Sequence, residues 1–182
     1  DTFMFLNRPF RLRDVGWDSP SVARLWRYHL HYFDWLSDDG IPSGEQRELI
    51  DRWIAGNPPP SSRRIGTGWE PYPLSLRIVN WIKWDLGMQR HGAPGLSDSA
   101  TLSLATQTRQ LAARLEYHLL GNHLWANAKA LVFAGVYFDG EEAERWLAKG
   151  LQLVVRELAV QVLPHCGHFA LSSMYHAIFL ED

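Results

Sequence analysis

The sequence predicts an all-α protein, an (α/α) toroid or incomplete α/α barrel of about seven helices paired as antiparallel hairpins. Three observations predict it. Apolar residues recur at helical spacing through almost every segment after residue 20. No two-residue alternation of a half-buried strand appears after residue 10. Segments apolar nearly all round alternate with amphipathic ones, which suits hairpins stacked in two layers, the inner helices buried and the outer ones half wet.

The elements follow in order. Phe3-Met4-Phe5-Leu6-Asn7 reads as a short strand or extended arm, with Arg8-Pro9 and Asp14-Val15-Gly16-Trp17-Asp18 as loop. Ser19 as N-cap and Pro20 at the first helical position open a helix. Val22, Leu25, Trp26, Leu30, Phe33 and Leu36 form its stripe as far as Asp38-Asp39-Gly40. Ser43 with Gln46 three residues on is a capping-box pattern for a second helix, ended by Gly56 and Pro58-Pro59-Pro60. Residues 57–72 form a long loop, a length that is often functional. A third helix follows Pro73 and stops at Gly87. Ser97 caps a fourth, which runs until Gly121-Asn122 breaks it. A fifth spans about 123–137, and Asp139-Gly140 turns the chain into a sixth over about 141–162. A last helix begins near Ser172 or Ser173 and continues to Asp182, so residues 1–182 read as a single domain.

Composition excludes several classes. Hydrophobic residues at 46% and charged residues at 21% indicate a globular chain rather than a disordered one. A net charge of −2 without a clustered basic face gives no case for nucleic acid. No apolar run is long enough for a membrane span, and no signal peptide is recognisable at Asp1-Thr2-Phe3-Met4. Cys166 is the one cysteine, so no internal disulfide forms. Aromatic residues reach 13% and many lie beside polar ones; flat aromatic faces pack cores and also suit the apolar faces of sugar rings.

Three clusters can carry chemistry. Asn122 and His123 stand at a helix start after Gly121, where free N–H groups and partial positive charge suit a carboxylate. An amide and an imidazole there can bind a uronate and withdraw charge from it, although a capping Asn and a packing His would look the same. His165-Cys166-Gly167-His168-Phe169 and Ser172-Ser173-Met174-Tyr175-His176 form the second cluster. Tyr175 near histidines can serve as proton donor or acceptor. His-Cys-x-His supplies too few local ligands for zinc, so neither a metal nor another cofactor is expected. The third cluster is Trp69-Glu70-Pro71-Tyr72, running on to Arg77. Glu70 would be a glycosidase acid only if a second carboxylate, Asp34 or Glu116, faced it; an N-terminal helix charge or a loop salt-bridge partner fits it equally well.

Taken together these segments resemble a known family. Leu25-Trp26-Arg27-Tyr28-His29-Leu30-His31-Tyr32-Phe33-Asp34, Trp69-Glu70-Pro71-Tyr72-Pro73-Leu74-Ser75-Leu76-Arg77-Ile78-Val79-Asn80-Trp81, Gly121-Asn122-His123-Leu124 with Asn127-Ala128-Lys129, and Gly167-His168-Phe169 with Met174-Tyr175-His176 are similar to the N-terminal domain of heparinase II/III-like polysaccharide lyases. The likeness covers almost the whole chain, in order. It implies an (α/α) toroid followed by a β-sandwich domain absent from this chain, and cleavage of uronic-acid glycans by β-elimination. It places Asn122 and His123 at the carboxylate and Tyr175 as proton donor. Trp69, Tyr72, Trp26 and Tyr32 become cleft walls, and Glu70, Arg77, His168 and His176 further substrate contacts. The partner implied is an acidic polysaccharide, and the compartment the bacterial periplasm or the exterior. Two departures stand out: Ala170-Leu171 replace an acidic–basic pair, and His165-Cys166 stand where the family has Asp-Gly. An inverting glycosidase on the same scaffold and a non-catalytic glycan-binding module are the rival readings.

Overall fold

A computed structural model of the chain describes residues 1–38, 40–61, 65–119 and 122–161. The expected last helix, with His165, Cys166, His168, Tyr175 and His176, lies outside the described residues. Within them the fold is all-α apart from one small hairpin.

The hairpin pairs β1 (Thr2–Phe5) with β2 (Arg8–Arg11), antiparallel, Phe5 opposite Arg8. Its two turn residues, Leu6 and Asn7, have φ of 55° and 57°, the left-handed pair that a tight hairpin needs. The expected strand or arm over Phe3–Asn7 is corrected: the strand ends at Phe5, Leu6 and Asn7 turn the chain, and Arg8-Pro9, expected as loop, pairs back as a strand. In a two-stranded ribbon both strands are edges, so Pro9 is tolerated. Phe3 packs on Trp35, and Phe5 and Phe10 each pack on Trp26, which fastens the hairpin to the helical core.

The single-turn α1 (Leu12–Val15) follows, and then α2 (Arg24–Tyr32). The expected start at Ser19 is corrected. Ser19 closes a local turn with Ser21, and the helix begins only after Ala23. It also ends early, because Phe33 adopts φ 61° and sends the chain into a 3-10 turn over Asp34–Ser37. A fully buried Phe ring, packed edge-on to Trp53 and Trp81, holds that backbone in place.

In α3 (Ser43–Gly56) the capping box is not formed. Gln46 turns inward instead, donating to the Leu36 carbonyl at 2.9 Å and accepting from the Trp84 indole at 2.6 Å. A 3-10 turn at Thr67–Trp69 leads into α4 (Pro71–Arg90), which starts two residues early and runs through Gly87. Ile78, Val79, Trp81, Ile82 and Trp84 bury most of its circumference, as its all-round apolar pattern requires.

Helix α5 (Asp98–Ala112) is capped as expected, Ser97 Oγ accepting from the Ala100 N–H at 3.2 Å. It ends at Ala112 rather than continuing to residue 119. Helices α6 (Asn122–Tyr137) and α7 (Glu141–Gln161) are joined across Gly140 and pack closely as a hairpin. Helix α6 packs against α4 on its other side, which brings the starts of both helices together. Among the described residues no helix is long and apolar enough to cross a membrane.

Candidate active site

Three elements meet at one end of the helical layer. On α2, Tyr28 and Tyr32 are four residues apart and so share a face. Glu70 and Tyr72 stand at the start of α4, and Asn122 and His123 open α6. The α6 helix is apolar along most of its length, so its burial against α4 and α7 fixes the place of its first turn.

The rings form a row. Tyr28 and Tyr32 are 6.3 Å apart between centroids, Tyr72 meets Tyr32 edge-on at 5.9 Å, and His123 lies against Tyr72 at 4.4 Å and 32°. The Asn122 amide donates to the Tyr72 hydroxyl at 3.1 Å. Asn122, His123 and Tyr72 are all partly exposed, so a ligand can reach them. Behind them, His123 Nδ1 is 3.1 Å from Glu116 Oε1, and Asn127 donates to Glu116 Oε2 at 3.2 Å and to Ser75 Oγ at 2.9 Å.

At the far end of the row Glu70 accepts from the Tyr28 hydroxyl and from Arg24. Burial, then the Glu70 carboxylate, pushes the Tyr28 phenol up to about 12. Burial, then the neighbouring tyrosines, likewise raises Tyr32. Both phenols therefore keep their protons at neutral pH.

The structure thus brings Asn122, His123 and Tyr72 together, with Glu70 on the same row. It corrects four other expectations. Trp26 is 1% exposed, flanked by Phe5 and Phe10, and spends its indole N–H on the Arg8 carbonyl at 2.9 Å. Trp69 is 4% exposed, packs on Trp53 and donates to the Asn57 carbonyl. Both are core residues rather than cleft walls. Arg77 is fully buried. It donates to Gln107 Oε1 at 2.8 Å, the Gly68 carbonyl at 2.8 Å and the His31 carbonyl at 3.2 Å, and lies 3.9 Å over the Trp53 ring. It ties the loop before α4 to α2 and touches no cleft. Tyr32, 8% exposed, backs Tyr72 rather than offering a face of its own. Tyr175, His168 and His176 lie outside the described residues.

Sequence reading gave Asn127 no role and weighed Glu116 only as a glycosidase carboxylate. One signal was available: Asn127 is a lone amide inside an otherwise apolar helical run, and such a group needs buried partners. A cavity of about 620 Å³ lies elsewhere, between α4, α5 and α6, lined by Ile82, Leu86, Val132, Phe133 and Val136 among others, and contains none of these residues.

Comparisons with known proteins bear on the family and the fold of the chain. The model of the heparinase II/III N-terminus matches residues 13–182. A heparin-sulfate lyase of Bacteroides thetaiotaomicron is 24% identical over 192 aligned positions, covering 96% of this chain and 27% of that protein. A heparin-sulfate lyase of Bacteroides stercoris is 38% identical over 61 residues, covering 33% of this chain and 9% of that protein. Two solved structures share the fold. A heparinase III matches with a TM-score of 0.62 at 23% identity, over 86% of this chain and 24% of that one. A heparinase III gene product with methylated lysines matches with a TM-score of 0.66 at 22% identity, over 92% and 30%. This chain therefore spans about a quarter of the length of the relatives it matches along most of its own. With the family model matched from residue 13 to the end, the chain belongs to the heparinase II/III family and corresponds to its N-terminal region.

Proposed function

We propose that this chain supplies one wall of the cleft of a polysaccharide lyase that cuts a uronic-acid glycan by β-elimination. The observation that carries the reading is the meeting of the Asn122 amide and the His123 imidazole at the start of α6, half-exposed against Tyr72. Membership of a family whose matched relatives are heparin-sulfate lyases supports it.

The chemistry asks for that pairing. A general base takes the C5 proton of a uronate, and the electron pair left behind puts negative charge on its carboxylate as the enolate forms. The electron pair then makes the C4–C5 double bond, the C4–O bond breaks, and the departing oxygen takes a proton. Hydrogen-bond donors fixed at the carboxylate lower the first barrier because they act more strongly on the charge-rich enolate than on the ground state. Asn122, His123 and the positive end of α6 fill that role. Tyr175, carried over from the family resemblance, protonates the leaving oxygen. The remaining parts of the cleft, including a β-sandwich domain, belong to the longer protein. The family resemblance favours the periplasm or the cell exterior.

The glycosidase alternative draws no support from the carboxylates. Glu70 is paired with Arg24 and Tyr28, and Glu116 is occupied by His123 and Asn127. The test is ultraviolet absorbance of the unsaturated uronate product. The longest natural form, the 182-residue chain and the Asn122→Ala and Tyr175→Phe variants are each offered heparan sulfate, hyaluronan, alginate and bacterial uronate exopolysaccharides. Product from the long form that either substitution abolishes supports the reading. New reducing ends without that absorbance would overturn it in favour of hydrolysis, and retention of full activity by Tyr175→Phe would remove the proton donor.

A further inference from the structure

We propose that Glu116 is a positioning residue for this site, one that decides which ring nitrogen of His123 faces a ligand. The inference deepens the reading above and rests on it only where activity is measured.

Glu116 lies in the connection between α5 and α6 and is 8% exposed. Each of its oxygens meets a different donor. Oε1 is 3.1 Å from His123 Nδ1, and Oε2 accepts from Asn127 Nδ2 at 3.2 Å. Its own backbone N–H donates to Asn127 Oδ1 at 2.9 Å. The second Asn127 N–H goes to Ser75 Oγ at 2.9 Å, and Ser75 Oγ donates to the Pro71 carbonyl at 2.8 Å. The clamp therefore joins the α5–α6 connection, the first turn of α4 and the second turn of α6, and the orientation of the fully buried Asn127 amide follows from its three partners.

A carboxylate has acceptors only, so the His123 nitrogen facing it must carry a proton. That assigns the Nδ1–H tautomer and turns Nε2 away from the clamp, as an acceptor when the ring is neutral and a donor when it is protonated. The Tyr72 ring, lying against His123 at 4.4 Å, opposes a ring flip that would undo the assignment. Glutamine cannot replace the clamp. It offers one acceptor where two donors converge, so either His123 or Asn127 would face an N–H.

The experiment is ¹⁵N NMR of ring nitrogens in the longest natural form, histidine-labelled, in alkaline buffer. His123→Gln assigns the signal. The wild type is expected to show His123 protonated on Nδ1 and bare on Nε2, and Glu116→Gln to move the ring toward Nε2–H. The wild-type spectrum decides even if that variant fails to fold, because a ring protonated on Nε2 in the wild type overturns the proposal. On a glycan the wild type cleaves, Glu116→Gln is expected to lower kcat by about 100-fold, the scale of a misplaced catalytic group, with KM within about threefold. An unchanged tautomer with activity inside twofold overturns the proposal as well. If the wild type releases no unsaturated product, the lyase reading fails while the tautomer result still stands for or against Glu116.

Discussion

Asn122 donates its side-chain amide to the hydroxyl of Tyr72 at 3.1 Å, across 50 positions of sequence. The contact joins the first turn of α6 to the first turn of α4, and the same tyrosine ring supports His123. Tyr72 thus touches both residues proposed to hold the uronate carboxylate, one through its oxygen and one through its ring.

Replacing Tyr72 by Phe separates these two contributions. The ring remains against His123, while the Asn122 amide loses its acceptor. One hydrogen bond at a partly exposed site contributes about 1 kcal/mol, so kcat/KM is expected to fall about fivefold with little change in melting temperature. Tyr72→Ala also removes the surface against His123 and is expected to cost considerably more. Steady-state kinetics on a cleaved glycan, paired with thermal melts, checks both. Equal kinetics for Tyr72→Phe and wild type would reduce the contact to packing.

Much of this arrangement was legible in the sequence. The helices announced themselves by periodicity, and Asn122-His123 and Glu70-Pro71-Tyr72 stood out as polar groups at helix starts. What escaped was tertiary in origin. The left-handed Phe33 that cuts α2 short is held by Trp53 and Trp81, which no local propensity encodes. Trp26 and Trp69 looked like sugar platforms because an indole beside polar neighbours reads the same in a core as in a cleft. Their burial depends on the β1–β2 hairpin and on Trp53, remote in sequence. Glu116 acquires its meaning only when α6 folds back beside it.

Arg77 shows what a buried cation does when carbonyls rather than a carboxylate receive it. Burial pulls its pKa well down, yet its planar fork reaches two backbone carbonyls and the Gln107 amide while stacking on Trp53. Lysine has one nitrogen and no plane, so it cannot span the three acceptors. Arg77→Lys is expected to cost about 2–3 kcal/mol and Arg77→Ala about 4 kcal/mol, through stranded acceptors and a cavity. Urea midpoints with unchanged slopes would bear this out. A loss below about 0.5 kcal/mol for Arg77→Lys would show the fork to be dispensable.

His31 makes the fold sensitive to acid. Its ring is fully buried and accepts from the Trp53 indole at 3.0 Å. Burial, with the Arg77 charge adding to it, pulls its pKa down to about 3. The unfolded chain titrates near the ordinary value of about 6.5. Between those values the unfolded state binds the extra proton, so stability is complete above about pH 6.5 and is lost as pH falls toward 3. The slope approaches about 1.4 kcal/mol per pH unit. Denaturant melts at pH 7, 6 and 5 should show this, and His31→Gln, which keeps an acceptor for Trp53, should flatten the difference. Parallel curves for the two proteins would mean that other groups govern acid unfolding.

Two helical glycines should respond oppositely to alanine. A Cβ on Gly135 would stand 2.5 Å from the Leu147 backbone nitrogen, so α6 and α7 would have to separate. Backbone cannot yield as a side-chain tip does, and the strain should outweigh the better helix propensity of alanine. Gly135→Ala is expected to destabilise by about 2 kcal/mol. Gly87 lies within α4 and a Cβ there meets nothing within 4 Å. The helix runs through it where the sequence suggested a stop, so Gly87→Ala is expected to stabilise by up to about 1 kcal/mol, as at any open helical position. Melts of the two variants side by side test whether close approach of α6 and α7, rather than glycine itself, sets the outcome. Stabilisation by both would show that the α6–α7 contact relaxes at little cost.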